Sequence, residues 1–413
     1  MIDPLIFVRA VHFAATALAA GTVSFRVLAL GPSSPSLWNA FERASRWLVW
    51  GGLLVAAGSG AIWLIWLASD IFGASLVNVC LHGGAWSVLN GTRFGEVCIA
   101  RLALALTLAV LLTFPASRWL QLAIAAALIG SMALIGHAGA TPDAAGRVHL
   151  VSDTAHLLAA AAWVGALPAL VLLLHQARDE TADAGPIVHR FSNLGVAAVG
   201  TLIATGSINS WNLLAGPRDL IVTDYGRLLL LKIALFAAML GIASVNRYRL
   251  TPQLHAPGVV RALARNSLIE IGLGLGVFLF VGALGTMAPS LHNHIHIPTQ
   301  QVPADAAFVH IHSEEAMADV TIEPGRVGAA SVAVLLMRED FSIFTAKEVK
   351  LLLTPQAAAA AAPIARTMVR KPDGGWRVEG VDLSQSGVWT VKITIETRAE
   401  SEIVLDAPVV IDP

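Results

Sequence analysis

Residues 225–247, YGRLLLLKIALFAAMLGIASVNR, decide what kind of chain this is: between Arg227 and Arg247 the one charged side chain is Lys232. As a helix the segment extends about 34 Å at a rise of ~1.5 Å per residue, enough to cross a hydrocarbon layer about 30 Å thick. Seven further stretches read the same way, at about 5–30, 44–68, 95–114, 118–137, 151–175, 191–215 and 267–288. Of 413 residues 56% are hydrophobic and 13% charged, with a mean hydropathy of +0.69. Soluble domains carry about 25% charged residues, so an all-α membrane bundle of eight transmembrane helices is expected over residues 1–288.

Lys and Arg collect in cytoplasmic loops. Here Arg26, Arg43, Arg46, Arg118, Arg178, Arg190, Arg247, Arg249, Arg261 and Arg265 fall at odd-numbered connections, against chiefly Arg93, Arg147 and Arg218 at even ones. Both termini are then expected outside the cytoplasm, with the first helix an uncleaved signal, since no small-residue cleavage site follows a short apolar core. A net charge of −1 and the lack of a basic run give no footing to nucleic acid. No phosphate-cradling Gly-rich loop suggests ATP-driven pumping.

The first four helices echo the last four. His12 precedes Gly21 by nine residues, as His156 precedes Gly165; Gly58-Ser59 and Trp63 match Gly206-Ser207 and Trp211. Thr92, Phe94, Gly95 and Arg101 match Thr223, Tyr225, Gly226 and Lys232. Four helices per unit makes a parallel four-plus-four repeat, whose interface is a common place for a ligand.

Polar groups retained within a bilayer usually line a bundle interior. His12 and His156 sit at equivalent depths near the outer face, and His137 ends helix four on that side. His149, Asp153 and His156 share one helical face, where the carboxylate would orient a ligating ring. Imidazole serves copper, zinc and haem iron alike. Arg101 and Lys232 are expected to snorkel outward or to pair locally. Cys80 and Cys98 fall on the outer side, where an oxidising compartment favours a disulfide; Cys80 with His82 is an alternative metal pair.

Past the last helix come Met287, His292, His294 and His296, then His310, His312 and Met317. His-x-His in an extended chain puts both rings on one side. Thioether plus imidazole leans toward copper over magnesium or calcium, with zinc and nickel open. Residues 289–305 read as a His-rich linker, and a solvated tail without metal is the plain alternative. From residue 306 to 413 the pattern changes to strands, at 316–322, 329–337, 347–353, 365–370, 375–381, 387–396 and 402–411. Asp373-Gly374-Gly375 marks a hairpin turn, and about seven strands suggest an all-β immunoglobulin-like sandwich on the periplasmic side. No nucleophile with its base is visible, so the chain does not read as an enzyme.

Residues 149–254 carry His149-Leu150, Asp153, His156-Leu157-Leu158, Trp163-Val164-Gly165, Arg190-Phe191-Ser192, Thr205-Gly206, Tyr225-Gly226-Arg227 and Asn246-Arg247. This pattern resembles the copper resistance protein D family of bacterial inner-membrane proteins. The N-terminal half, with Thr92-Arg93-Phe94-Gly95, resembles its more divergent partner, and together they cover about two thirds of the chain. The tail is weakly similar to small β domains of the YtkA or FixH sort. The resemblance implies a multi-pass inner-membrane protein that imports copper ions from periplasm to cytoplasm and contributes to copper homeostasis and resistance, with a periplasmic copper-binding protein as a partner. His12, His137, His149, His156 and the His/Met tail are the expected ligands. Two other readings stand beside it: a haem-binding electron-transfer protein with paired axial histidines, and a periplasmic metal sensor or assembly factor that does not transport.

Overall fold

Each of the eight apolar stretches coincides with helix. The computed structural model describes residues 3–30, 35–72, 75–81, 83–114, 116–135, 144–176, 181–214, 216–287, 303, 305–313, 316–337, 344–356, 362–371, 374–397 and 402–413. It divides into two compact units, Met1–His294 and Ile295–Pro413.

In the first unit α1 (Pro4–Ser24) ends in a π-helical turn, Phe25–Ala29, and α2 spans Pro35–Phe72. Two short helices, α3 (Leu76–Leu81) and α4 (Gly84–Gly91), lead into α5 (Arg93–Thr113) and α6 (Arg118–Gly130) with its 3-10 turn Ser131–Leu134. Then come α7 (Ala144–Ala160), a π turn at Ala161–Gly165, α8 (Leu167–Gln176) and α9 (Thr181–Leu213). Short α10 (Asp219–Val222) precedes α11 (Asp224–Val245), which runs through a π turn at Asn246–Leu250; α12 is Val259–Leu284. Among the described residues seven helices are long and apolar enough to cross a membrane, and the eighth stretch, Arg118–Leu134, is shorter.

The helices are inside-out relative to a soluble bundle. On α5 the exposed residues Leu102, Leu106 and Val110 recur every fourth position, whereas Arg101, Leu108 and Leu112 are buried. Apolar side chains face outward because the surrounding medium is lipid, leaving the interior to small and polar groups. α1 is the central helix. A Cβ on Gly21 would fall 2.2 Å from the Gly165 carbonyl carbon, and one on Gly282 would fall 2.4 Å from the Ile6 carbonyl oxygen. At these crossings backbone meets backbone.

The Thr-x-x-Gly echo has a local cause. Thr92 and Thr223 cap α5 and α11, their hydroxyls accepting from the Gly95 and Gly226 amides at 3.1 and 2.9 Å. Each glycine is also required by the preceding short helix, since a Cβ there would sit 2.1 Å from the carbonyl oxygen of Leu89 or Asp219.

Among the described residues the second unit is a two-sheet sandwich of nine strands: β1 Ala307–His312, β2 Met317–Glu323, β3 Gly328–Met337, β4 Glu348–Pro355, β5 Ile364–Thr367, β6 Val369–Arg370, β7 Trp376–Leu383, β8 Gly387–Glu396 and β9 Glu402–Ile411. The sheets run β1-β2-β3-β7-β6 and β5-β4-β8-β9. The sequence reading has seven strands. It lacks β1, whose His-rich alternation does not look apolar, and it takes β5 and β6 as one, although they join different sheets. Alternating inward residues of both sheets, from Val320 and Val334 to Val391 and Ile393, form one core. Trp389 is fully buried there, its indole N–H donating to the Gln385 carbonyl at 3.1 Å. Trp389→Ala is expected to destabilise this unit by about 3–5 kcal/mol. Hydrogen exchange on the full chain checks it: protection of β4, β8 and β9 should fall while that of α1 does not.

Candidate functional site

Two histidine centres lie inside the bundle. In the first, His12 on α1 is buried, and its Nδ1 lies 2.9 Å from the Ala56 carbonyl oxygen and 3.1 Å from Ser59 Oγ on α2. A carbonyl only accepts, so Nδ1 carries the proton and Nε2 the lone pair. That lone pair is taken: the Arg101 guanidinium, 2.9 Å away, donates to it. Arg101 also donates to the Leu128 carbonyl at 2.9 Å and to Ser131 Oγ at 3.0 Å. Arg101 is 6% exposed; of the two expectations for it, local pairing is seen and snorkelling is not. Trp63 stands edge-on to His12 at 5.7 Å, with the Arg9 guanidinium 4.7 Å over its ring.

In the second centre His156 on α7 places Nδ1 2.9 Å from Thr205 Oγ1 on α9. Thr205 spends its own proton on the Thr201 carbonyl at 2.6 Å, so its oxygen accepts and His156 Nδ1 donates. Nε2 again holds the lone pair, and here it has no hydrogen-bond partner among the described residues. Lys232, at the place corresponding to Arg101, lies within electrostatic reach of His156 and of Asp153. Asp153 accepts from Asn209 Nδ2 at 3.3 Å and is within the same reach of His149, which is itself buried.

The echoes are matched unevenly. Ser59 meets His12, whereas Thr205, two residues before Ser207, meets His156; Ser207 bonds its own helix at Ile203. Trp63 is 5% exposed and Trp211 84%. Among the described residues no three His, Cys, Asp or Glu converge on one point. His137, His292, His294 and His296 lie outside the described residues, as does most of the expected linker. Met287 packs beside Tyr225, Leu229 and Leu284. In the second unit His310 on β1 bonds Asp319 Oδ1 of β2 at 2.5 Å, and Met317, buried, is the register partner of His312. The side chain of His312 is not described. Cys80 and Cys98 are both free thiols, which corrects the expected disulfide; Cys80 is exposed on α3 and Cys98 sits in the second turn of α5.

A third group stands at the far end of the bundle, around Glu270 and the Asn246-Arg247 pair, the weak candidates that the sequence offers for the inner half. Asn246 Nδ2 donates to Glu270 Oε2 at 3.0 Å, and Asn266 Nδ2 donates to Asn246 Oδ1 at 2.8 Å. Asn246 and Glu270 face a cavity of about 250 Å³. The signal is the carboxylate of Glu270, the one charged side chain between Arg265 and the end of α12.

The fold and these centres define a polytopic membrane bundle with two inward-set histidines, one buried and one partly buried, each attached to a neighbouring helix and set beside a basic side chain. The helical unit of the chain is that of the copper resistance protein D family. The family model described as copper resistance protein D matches residues 185–284, and that described as copper resistance protein D-like, N-terminal domain, matches residues 1–147. Copper resistance protein D of Pseudomonas syringae pv. tomato is 28% identical over 254 residues, 58% of this chain and 78% of that protein. Inner membrane protein YebZ of Escherichia coli is 29% identical over 267 residues, 62% of this chain and 82% of that one. Copper transport protein CutJ of Bacillus subtilis is 32% identical over 165 residues, 40% of this chain and 29% of that protein. No solved structure matches the chain.

Proposed function

We propose that the protein handles copper in the bacterial inner membrane and imports it from the periplasm to the cytoplasm, contributing to copper homeostasis and resistance. The observation that carries this reading is His156: a partly buried imidazole on the neutral Nδ1–H tautomer, with its Nε2 lone pair turned to no partner among the described residues, is a ready copper ligand. The names of two relatives, a copper resistance and a copper transport protein, support it. In this reading residues 1–288 are the conduit, arranged as a parallel four-plus-four repeat with both termini periplasmic. The linker 289–305 and the β unit 306–413 gather copper outside, with help from a periplasmic copper-binding protein. Met287, His292, His294, His296, His310, His312 and Met317 take the ion first, and His12, His137, His149 and His156 receive it. His12 joins only when Arg101 releases its nitrogen, so the two centres have unequal roles.

Cellular copper measured at fixed external copper tests the proposal. His156→Ala is expected to lower accumulation at least about tenfold, the loss that follows removal of even an outer partner of a metal ligand. His12→Ala should lower it less, because its lone pair is already occupied. Accumulation unchanged in the double variant would sink the conduit.

A further inference from the structure

At the end of the bundle that carries the α11–α12 connection, Glu270 is 2% exposed and lines the cavity of about 250 Å³ together with Trp163, Ser192, Asn246, Arg247 and Ser267. One carboxylate oxygen, Oε2, accepts from Asn246. The other, Oε1, has no partner among the described residues, and neither has the buried Ser267 hydroxyl one turn earlier on the same face. Arg247, the one cation lining the cavity, donates to Ser192 Oγ at 2.7 Å and Asn193 Oδ1 at 3.1 Å, and forms no ion pair with Glu270 among the described residues. Tyr248 is the remaining titratable group of the lining, again from the π turn after α11. The segments lent by the π turn after α7, by α8 and by α9 bring none.

We propose that Glu270 is a proton-exchange site, its carboxyl taking a proton from, and returning it to, the cavity at this end of the bundle. A carboxylate buried without a cationic partner is costly, and an orphaned oxygen keeps that cost until a cation reaches it. Copper is a poor candidate for that cation. The lining offers no His, Cys or Met, one anionic group and a guanidinium that repels metal ions. A proton needs a single oxygen, which Oε1 supplies, and the cavity has room for several water molecules to deliver it.

Glu270 lies 15 residues before Gly285, whose carbonyl accepts from Arg9 near His12. It is therefore about 22 Å along α12 from the histidine end. The exchangeable charge is thus held on the opposite side from the proposed copper ligands. Its use to compensate a moving copper ion rests on the import reading; the proton exchange does not.

Copper-free, full-length protein in phosphatidylethanolamine and phosphatidylglycerol liposomes provides the test. Acid-minus-alkaline infrared difference spectra are expected to contain a protonated-carboxyl C=O band from a weakly hydrogen-bonded environment. Glu270→Gln should remove it, and Glu270→Asp should keep it at shifted frequency; a spectrum unchanged by Glu270→Gln overturns the proposal. Where that variant does not fold, the wild-type protein decides through dicyclohexylcarbodiimide, which adds to protonated carboxyls. Labelling of the Glu270 peptide should rise several-fold from alkaline to acid buffer, and labelling that is absent or independent of pH overturns it. Absence of copper uptake by the wild-type protein, with both signals present, would overturn the import reading and leave the proton site standing.

Discussion

Gly165→Leu is expected to leave little folded protein. A Cβ at this position would lie 2.0 Å from the Ala17 carbonyl oxygen, and one on the facing Gly21 would lie 2.2 Å from the Gly165 carbonyl carbon. Overpacking a core costs about 1–3 kcal/mol when side chains can yield. Here the obstacle is main chain on both sides, so α1 and the π turn after α7 must separate and lose the close packing that holds membrane helices together. The expected cost is therefore about 3 kcal/mol or more, read as loss of the monodisperse peak in detergent and a lowered Tm. Gly241→Leu is the control, because nothing lies within 4 Å of its added Cβ. Equal tolerance of the two substitutions would show that the crossing does not have this geometry.

Glu42→Leu is the second large effect. The Arg26 guanidinium, 4% exposed, forms an ion pair with Glu42, which Arg46 approaches at 3.7 Å. Removing the carboxylate leaves a buried cation unpaired, a change that costs about 3–5 kcal/mol, whereas replacing both partners with apolar residues is often neutral. Arg26→Leu combined with Glu42→Leu should therefore recover most of the Tm that Glu42→Leu loses. A double variant no better than the single one would mean that the two groups are not coupled. The pair also qualifies the charge-bias argument. Arg26 is counted as a loop cation in sequence, yet it is spent on holding the end of α1 to α2.

Helix positions, the Thr-x-x-Gly starts and most of the strands were legible because each depends on one segment. An apolar run long enough to span lipid must become helix there, since its backbone groups have no other partners. A threonine three residues before a glycine caps its own helix. Alternating apolar residues between turns make strands in water. The two bundle histidines were legible for the same kind of reason, since a polar side chain within an apolar helix carries a local cost and calls for a use.

Which atoms those histidines offer was decided by the tertiary structure. Successive helix positions turn by about 100°, so a two-residue offset selects Thr205 over Ser207 as the partner of His156, and the same rotation leaves Trp211 outside while Trp63 packs on His12. Arg101 reaches His12 across 89 positions of chain and Asn246 reaches Glu270 across 24. No periodicity records such pairings, because they depend on how far each helix is turned and how closely α1 lets its neighbours approach. Sequence by itself made this chain a membrane bundle with buried histidines and a β unit after it. Packing closed one histidine lone pair with a guanidinium, left the other free among the described residues, and set an orphaned carboxylate oxygen beside a cavity, because side-chain partners are chosen by the geometry of whole helices.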